Sequence, residues 1–337
     1  PGEDKRFRID QDRFIFEVPQ NGTSNSCEAL NEQSFSVNIN TVAGAGWSIE
    51  PSSTWVHNKT ITGSGSSEQS IKPDYNGTLS ARNGNVTIRS TALGNYSPTY
   101  KVTFNQKAYE FKVTSETAYN FETLKGDGQA KTVKIKCTGD WSITGDPTWI
   151  TLSQNSGRGN KDITVSVNST NTSLIASTRQ NVTVTVKSTV AGTTHSHTFT
   201  VSQKPYEFSV DPTKVTSKDA VSKFKGDIAV TSSGGFSAAE ITVSGQKDLL
   251  TIARNTSGVT YEMAENYSLS EVTNKFSITS NDHSSGDDLY KEVTLTRAAY
   301  IFKSSLEDGS VIVCGAAKDL ERGPFTFEST GGFLNMD

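Results

Sequence analysis

Apolar and polar residues alternate with a period of two through much of this chain. Val133, Ile135 and Cys137 are interleaved with Lys134 and Lys136, and Ile163, Val165 and Val167 with Thr164 and Ser166. Val182, Val184 and Val186 follow the same rule, as do Phe199 and Val201. Neighbouring side chains on a strand point to opposite faces, so each run predicts a strand with one buried face and one wet face. Antiparallel sheets packed on one side have this pattern. Turn formers such as Gly44-Ala45-Gly46, Gly63-Ser64-Gly65, Arg82-Asn83-Gly84-Asn85, Gly126-Asp127-Gly128 and Ser156-Gly157-Arg158-Gly159 separate the runs. Their spacing of roughly 8–12 residues predicts all-β, immunoglobulin-like sandwiches. Helical periodicity is nowhere sustained.

The runs repeat. Aromatic-x-Phe triplets at Phe14–Phe16, Tyr109–Phe111, Tyr206–Phe208 and Tyr300–Phe302 are 95, 97 and 94 residues apart. Gly46-Trp47-Ser48, Asp140-Trp141-Ser142, Gly235-Phe236-Ser237 and Gly332-Phe333 keep the same beat. Two markers in step define a repeated unit. The expected organisation is a module over residues 1–108, a second over 109–205, a divergent third over 206–299, and the first strands of a fourth over 300–337. Gln106-Lys107 and Gln203-Lys204 lead directly into the next triplet with no flexible linker. Strands of about ten residues rise roughly 33 Å, so three modules end to end predict a rod of about 100 Å.

Composition narrows the partners. The 337 residues carry a formal net charge of −4 and no basic block, which disfavours nucleic acid or an anionic membrane as main partner. No apolar run approaches the ~20 residues of a spanning helix. The opening Pro1-Gly2-Glu3-Asp4-Lys5 has no apolar segment behind it and reads as a processed or trimmed start. Cys27, Cys137 and Cys314 fall in different repeats, so no module forms an internal disulfide, and each reads as a small buried hydrophobe.

Repeats 1 and 2 share five elements in one order. These are the Trp-Ser-Ile strand (Trp47, Trp141), a Pro-containing element ending in Trp-[Val/Ile] (Trp55, Trp149), and the Ser-Gly-x-Gly turn. An Arg/Asn segment before a Val-Thr strand (Arg82, Arg179) and the closing Gln-Lys complete the set. In this the chain resembles the BACON family, the Bacteroidetes-associated carbohydrate-binding modules. Repeat 3 matches weakly, because Phe236 and Leu249 stand in place of both tryptophans. The resemblance implies extracellular or surface sandwiches, often coupled to glycan-degrading enzymes, and found also in surface glycan-binding proteins and in phages of those bacteria.

Sugar platforms are exposed aromatic rings with polar groups around them. All four tryptophans recur on the beat and read as core residues of each copy. The off-beat tyrosines Tyr75, Tyr96, Tyr261 and Tyr267, in Asn/Ser/Gly-rich surroundings, are the ligand-binding candidates. His195 and His197 lie two apart on one strand with no third ligand nearby, and read as solvated histidines. The acidic stretch from Asp282-His283 to Asp287-Asp288 lacks a recognised calcium spacing. Gly63 and Gly157 are followed by no helix and read as hairpin turns, not a phosphate cradle. No nucleophile elbow, zincin helix or facing carboxylate pair is present, so neither an enzyme, a metal nor a cofactor is expected.

Two functional expectations stand. One is a surface spacer or scaffold with weak glycan contact; the other is a structural fibre or decoration protein of a phage virion serving adhesion. The strands after Tyr300 belong to a longer array, pack on repeat 3, or are completed by a partner chain added at an open edge.

Overall fold

The computed structural model describes residues 14–126, 130–237, 241–244, 249–304 and 327–329. They are strands and turns, with a single short 3-10 turn at Gly94–Tyr96 and no α-helix among the described residues. No helix there is long and apolar enough to cross a membrane. By its contacts the chain divides into two compact units: Pro1–Tyr119, Gly128–Val167 and Asn181–Val201 form one, and Asn120–Asp127, Asn168–Gln180 and Ser202–Asp337 the other.

The strands pair as three successive two-sheet sandwiches. In the first, Phe16–Glu17, Phe35–Thr41 and Ser67–Ile71 form one sheet; the other runs Ser24–Cys27, Thr99–Gln106, Arg82–Ser90, Gly46–Pro51, Ile61–Ser64. In the second, a four-stranded sheet (Ile150–Leu152, Lys161–Val167, Lys131–Cys137, Phe111–Thr114) faces a five-stranded one. The latter runs Ala118–Phe121, Thr193–Gln203, Val182–Val190, Asp140–Thr144, Ser156–Arg158. The third pairs Phe208–Asp211, Phe224–Ser232, Gly258–Met263 and Leu250–Arg254, and separately Lys214–Ser217, Tyr290–Arg297, Val272–Thr279 and Val243–Ser244.

The alternation is realised as burial. Val133, Ile135 and Cys137 face inward while Lys134 and Lys136 face solvent. Each aromatic-x-Phe marker enters its sandwich in the same register: Phe16 pairs with Thr41, Phe111 with Cys137, Phe208 with Ser232. The pairing recurs beyond Tyr300, where Phe302–Ser304 lies antiparallel to Phe327–Ser329 with Phe302 opposite Ser329. The expected corner at Gly332-Phe333 and Cys314 lie outside the described residues.

Three of the four expected core tryptophans are buried, and Trp55 packs only half-buried against the core. Trp47 and Trp141 are each 3% exposed. The indole Nε1 of Trp47 donates to the Gly65 carbonyl at 2.9 Å, and that of Trp141 to Gly159 at 2.9 Å. Trp149 is buried, and Trp55 lies half-buried beneath the Arg82 guanidinium, 4.4 Å from its ring. Gly63 and Gly157 are not turn residues: each sits in a short edge strand directly opposite its tryptophan. The turn positions are Gly65 (φ +68°) and Gly159 (φ +75°), whose left-handed backbone favours glycine. Cys27 and Cys137 are buried and free, and burial pushes the Cys27 thiol above its usual pKa.

Candidate functional site: the joints between sandwiches

A buried asparagine at the same place in each repeat builds the segment that meets the next sandwich. Asn76, Asn171 and Asn266 are all at most 2% exposed. Their amides donate to late-strand carbonyls, Lys107, Lys204 and Ala298, at 2.8–2.9 Å. Their Oδ1 atoms accept from the backbone N–H of Thr78, Ser173 and Ser268. The loop so shaped presents one carbonyl outward. The backbone N–H of Tyr109 donates to Thr78, that of Tyr206 to Ser173, and that of Tyr300 to Ser268, each at 2.8 Å. Beneath the loop a buried donor fills the end of each sandwich: Gln106, Gln203, and in the third the fully buried Arg297.

The tyrosine side chains complete the tie. The Tyr109 hydroxyl accepts from Gly139 N–H at 3.1 Å and lies 2.7 Å from Ser188 Oγ. The Tyr206 hydroxyl accepts from Gly234 N–H at 2.7 Å and donates to Asp282 Oδ2 at 2.9 Å. Each residue is thus held by its backbone to one sandwich and by its side chain within the next.

The first joint has further contacts. His195 stacks on Tyr109 and Phe111, with ring centroids 5.7 and 5.8 Å away, and its Nε2 reaches the Gly77 carbonyl at 2.8 Å. A Cβ on Gly77 would stand 2.6 Å from the Val190 carbonyl oxygen, so only glycine permits this approach. Beside it opens a cleft of about 280 Å³ lined by Leu30, Glu32, Tyr75, Arg158, Val190 and Ala191 among others. A second lobe of about 330 Å³ adjoins it at Lys72, Pro73, Asp74, Tyr75 and Ala191. The Tyr75 hydroxyl donates to Glu32 Oε1, and Lys72 Nζ lies 3.7 Å from Glu32 Oε2. The phenol's hydrogen bond, then the Lys72 and Arg158 charges, hold the Glu32 carboxyl below its usual pKa; the same bond raises that of Tyr75.

Of the four candidate tyrosines the structure places one here. Tyr75 is 37% exposed and lines both lobes. Tyr96, 92% exposed on its 3-10 turn, does not line the cleft. Tyr267 is exposed, bonded to Glu265, and lies 6.0 Å from the Tyr300 ring. Tyr261 is not a surface residue: at 6% exposure it lies on the Gly258–Met263 strand and packs edge-on against Phe224. Its Asn255–Gly258 surroundings suggest a loop, but Val259, Tyr261 and Met263 alternate inward as core. A larger concavity, about 570 Å³, lies on the third sandwich between Lys225, Asp227, Thr251, Thr260, Tyr261 and Glu262; Tyr261 lines it but is buried, so no exposed ring is offered there.

The remaining candidates are engaged locally. His197 Nε2 lies 2.9 Å from Ser115 Oγ, so the two histidines serve different segments. Among the described residues no three His, Cys, Asp or Glu side chains are grouped to hold a metal ion. In the acidic stretch the Asp287 carboxylate accepts from His283 Nδ1, from the N–H and hydroxyl of Ser284, and from the N–H of Leu289. Partial burial pushes its pKa up, but these donors outweigh it and leave it at about 2. A depressed folded-state value contributes stability above the unfolded pKa of about 3.9 and loses it as pH falls. The loop should therefore stay intact at pH 4 and loosen progressively toward pH 2. Carboxyl and amide shifts of residues 283–289 in an NMR pH titration check this, and a midpoint near 4 would contradict it.

Glu32, Arg158 and His195 carry no sequence signal for this site. The asparagine beat of Asn76, Asn171 and Asn266, 95 residues each, is one that could have located the joints.

No protein-family model matches the chain, and no curated protein matches it. Solved structures similar to it include a protocadherin gammaB7 EC3-6 cis-dimer (TM-score 0.34, 10% identity, covering 89% of this chain and 77% of that one). Mouse cadherin-23 EC22-24 gives a TM-score of 0.31 at 9% identity over 85% of this chain and 99% of that one. A Bacteroides ovatus GH5 xyloglucanase in complex with a XXXG heptasaccharide gives 0.22 at 18% identity, over 32% of this chain and 21% of that one. The class is defined by the chain's own strands and registers: a tandem array of immunoglobulin-like β-sandwiches.

Proposed function

We propose that this chain is a non-catalytic spacer of the BACON type, displayed outside the cell or on its surface, whose modules are stiffly joined. The observation that supports this reading is the joint itself. The same loop carbonyl receives the same tyrosine N–H at Tyr109, Tyr206 and Tyr300, above a buried asparagine each time. A linker built to flex leaves such backbone groups to water, whereas here they are bonded. The five-element resemblance in repeats 1 and 2 supports the family and the surface location.

Spin labels at the exposed positions Thr62 and Lys134, in a chain carrying Cys314→Ser, test the stiffness of the first joint; Cys27 and Cys137 are buried. One narrow distance distribution is expected. Gly77→Val, which forces a side chain against the Val190 carbonyl, should broaden it. A broad distribution in the parent chain would defeat the spacer reading.

A further inference from the structure

The third sandwich ends one of its sheets on an open strand. Leu250–Arg254 pairs with Gly258–Met263 on one side and, among the described residues, with no strand on the other. The hairpin fixes which backbone groups are left over. The Asn255 N–H donates to the Gly258 carbonyl and the Ala264 N–H to that of Leu249. Bonded pairs alternate along an antiparallel ladder, so Ala253 with Thr260 and Thr251 with Glu262 are the bonded pairs between those two. The N–H and C=O groups of Leu250, Ile252 and Arg254 therefore point away from the sheet. The counterpart strand of the second sandwich, Ile150–Leu152, is shorter, and the chain then crosses to the opposite sheet at Ser156–Arg158. Edge strands are ordinarily blunted by shortness, proline, a bulge or charge. Leu250–Arg254 carries no such device before its last residue, Arg254, whose guanidinium lies over Phe236.

The concave wet face of the same sheet begins at this edge. Its outward side chains form two rows running inward from the edge: Thr251, Glu262, Lys225 and Ala253, Thr260, Asp227. The residues nearest the edge are short and uncharged, and behind them stand two carboxylates and one ammonium. Neither Asp227 nor Glu262 has a hydrogen bond or ion pair among the described residues.

We infer that this edge takes up an extended segment of a partner polypeptide as a further strand, and that the concavity selects a basic residue in that segment. In a strand laid antiparallel on the edge, the residue opposite Ile252 bonds to it, and its two neighbours stand beside Thr251 and Ala253 on the wet face. Glu262 is two strands away from the position beside Thr251, roughly 10 Å. An extended lysine or arginine crosses that gap by lying over Thr251, and meets the Glu262 carboxylate in a charge-assisted hydrogen bond. Main-chain bonds thus supply affinity and an alternate side chain supplies selectivity. An acidic segment meets Glu262 and Asp227 as like charges and is rejected.

This goes beyond the spacer reading and does not rest on it, since the spin-label distances report the first joint and the following titration reports an edge of the third sandwich. The full isotope-labelled chain is titrated with a peptide of about nine residues alternating lysine and valine, and with its glutamate–valine counterpart. A third peptide is the lysine form N-methylated at its central valines, which removes the donors that pair with the edge. The lysine peptide should shift the amides of residues 250–254 and 260–262 with a Kd near or below about 1 mM, the range of a weak single site. It should also slow hydrogen exchange at Ile252 and Arg254, whose N–H groups the ladder leaves free. The N-methylated and glutamate peptides should bind at least about tenfold more weakly. Ala253→Lys, which puts a charge on the edge as natural edges do, should weaken the lysine peptide by about as much. Glu262→Gln should weaken it about threefold, the worth of one exposed ion pair. Ala253 and Glu262 are exposed, so the amide spectrum reports directly whether the fold is retained. The inference falls if the lysine peptide shifts nothing at about 10 mM, if either control peptide binds as well, or if exchange at Ile252 and Arg254 is unchanged on binding.

Discussion

Arg297→Ala should destabilise the third sandwich by about 4 kcal/mol, a large part of the 5–15 kcal/mol available to a domain. The side chain is fully buried. Its Nε donates to the Ala220 carbonyl and its Nη1 to Met263 and Ala264, all at 2.7 Å, while Nη2 donates to Ser222. Alanine leaves four carbonyls without that donor, and each buried, unsatisfied group costs about 1–3 kcal/mol, offset where water enters. Arg297→Gln places there the residue that the first two sandwiches use, since Gln106 Nε2 donates to Glu28, Ala29 and Asp74, and Gln203 Nε2 to Thr123 and Ser169. It should recover about half of the loss. All four tryptophans lie in the first two sandwiches. Urea melts should therefore show an early transition in far-UV circular dichroism and none in tryptophan fluorescence. Melts superimposable on the parent chain's would show that the arginine is dispensable.

The second large effect belongs to the tryptophan–glycine contact. A Cβ on Gly63 would stand 2.2 Å from Trp47 Cζ2, and one on Gly157 2.6 Å from Trp141 Cζ2. The indole cannot retreat freely, because its Nε1 is bonded to Gly65 and its other face packs against the core. Gly63→Ala should cost about 3 kcal/mol, at the upper end of overpacking, and Gly157→Ala somewhat less. Here the tryptophan fluorescence midpoint is the one that falls, unlike in the arginine variant. An unchanged fluorescence midpoint for Gly63→Ala would mean that the ring has room to shift.

That contact also explains part of the motif on which the family resemblance rests. Tryptophan and the Gly-x-Gly segment (Gly63–Gly65, Gly157–Gly159) occur together because the ring covers the first glycine and bonds to the carbonyl of the second. In the third sandwich Phe236 has no ring N–H to donate, and Arg254 lies 4.5 Å over its face instead. There, among the described residues, no short strand like those of Gly63 and Gly157 intervenes, and Leu250–Arg254 turns directly into Gly258–Met263. The replacement of the first tryptophan and the loss of the glycine segment in repeat 3 thus go together.

Strands, their inward faces and the repeat were legible in the amino-acid order, because a pleated strand sorts side chains by simple parity and a repeated module repeats its parity. The same rule, applied to Val259, Tyr261 and Met263, would have placed Tyr261 in the core; polar neighbours at Asn255–Gly258 obscured it. What only the tertiary structure decided is which distant residues meet at the joint. Tyr75 bonds Glu32 across 43 positions, and His195 reaches Gly77 across 118. The first is made within one sandwich and the second where two sandwiches meet, and no local periodicity encodes either pairing.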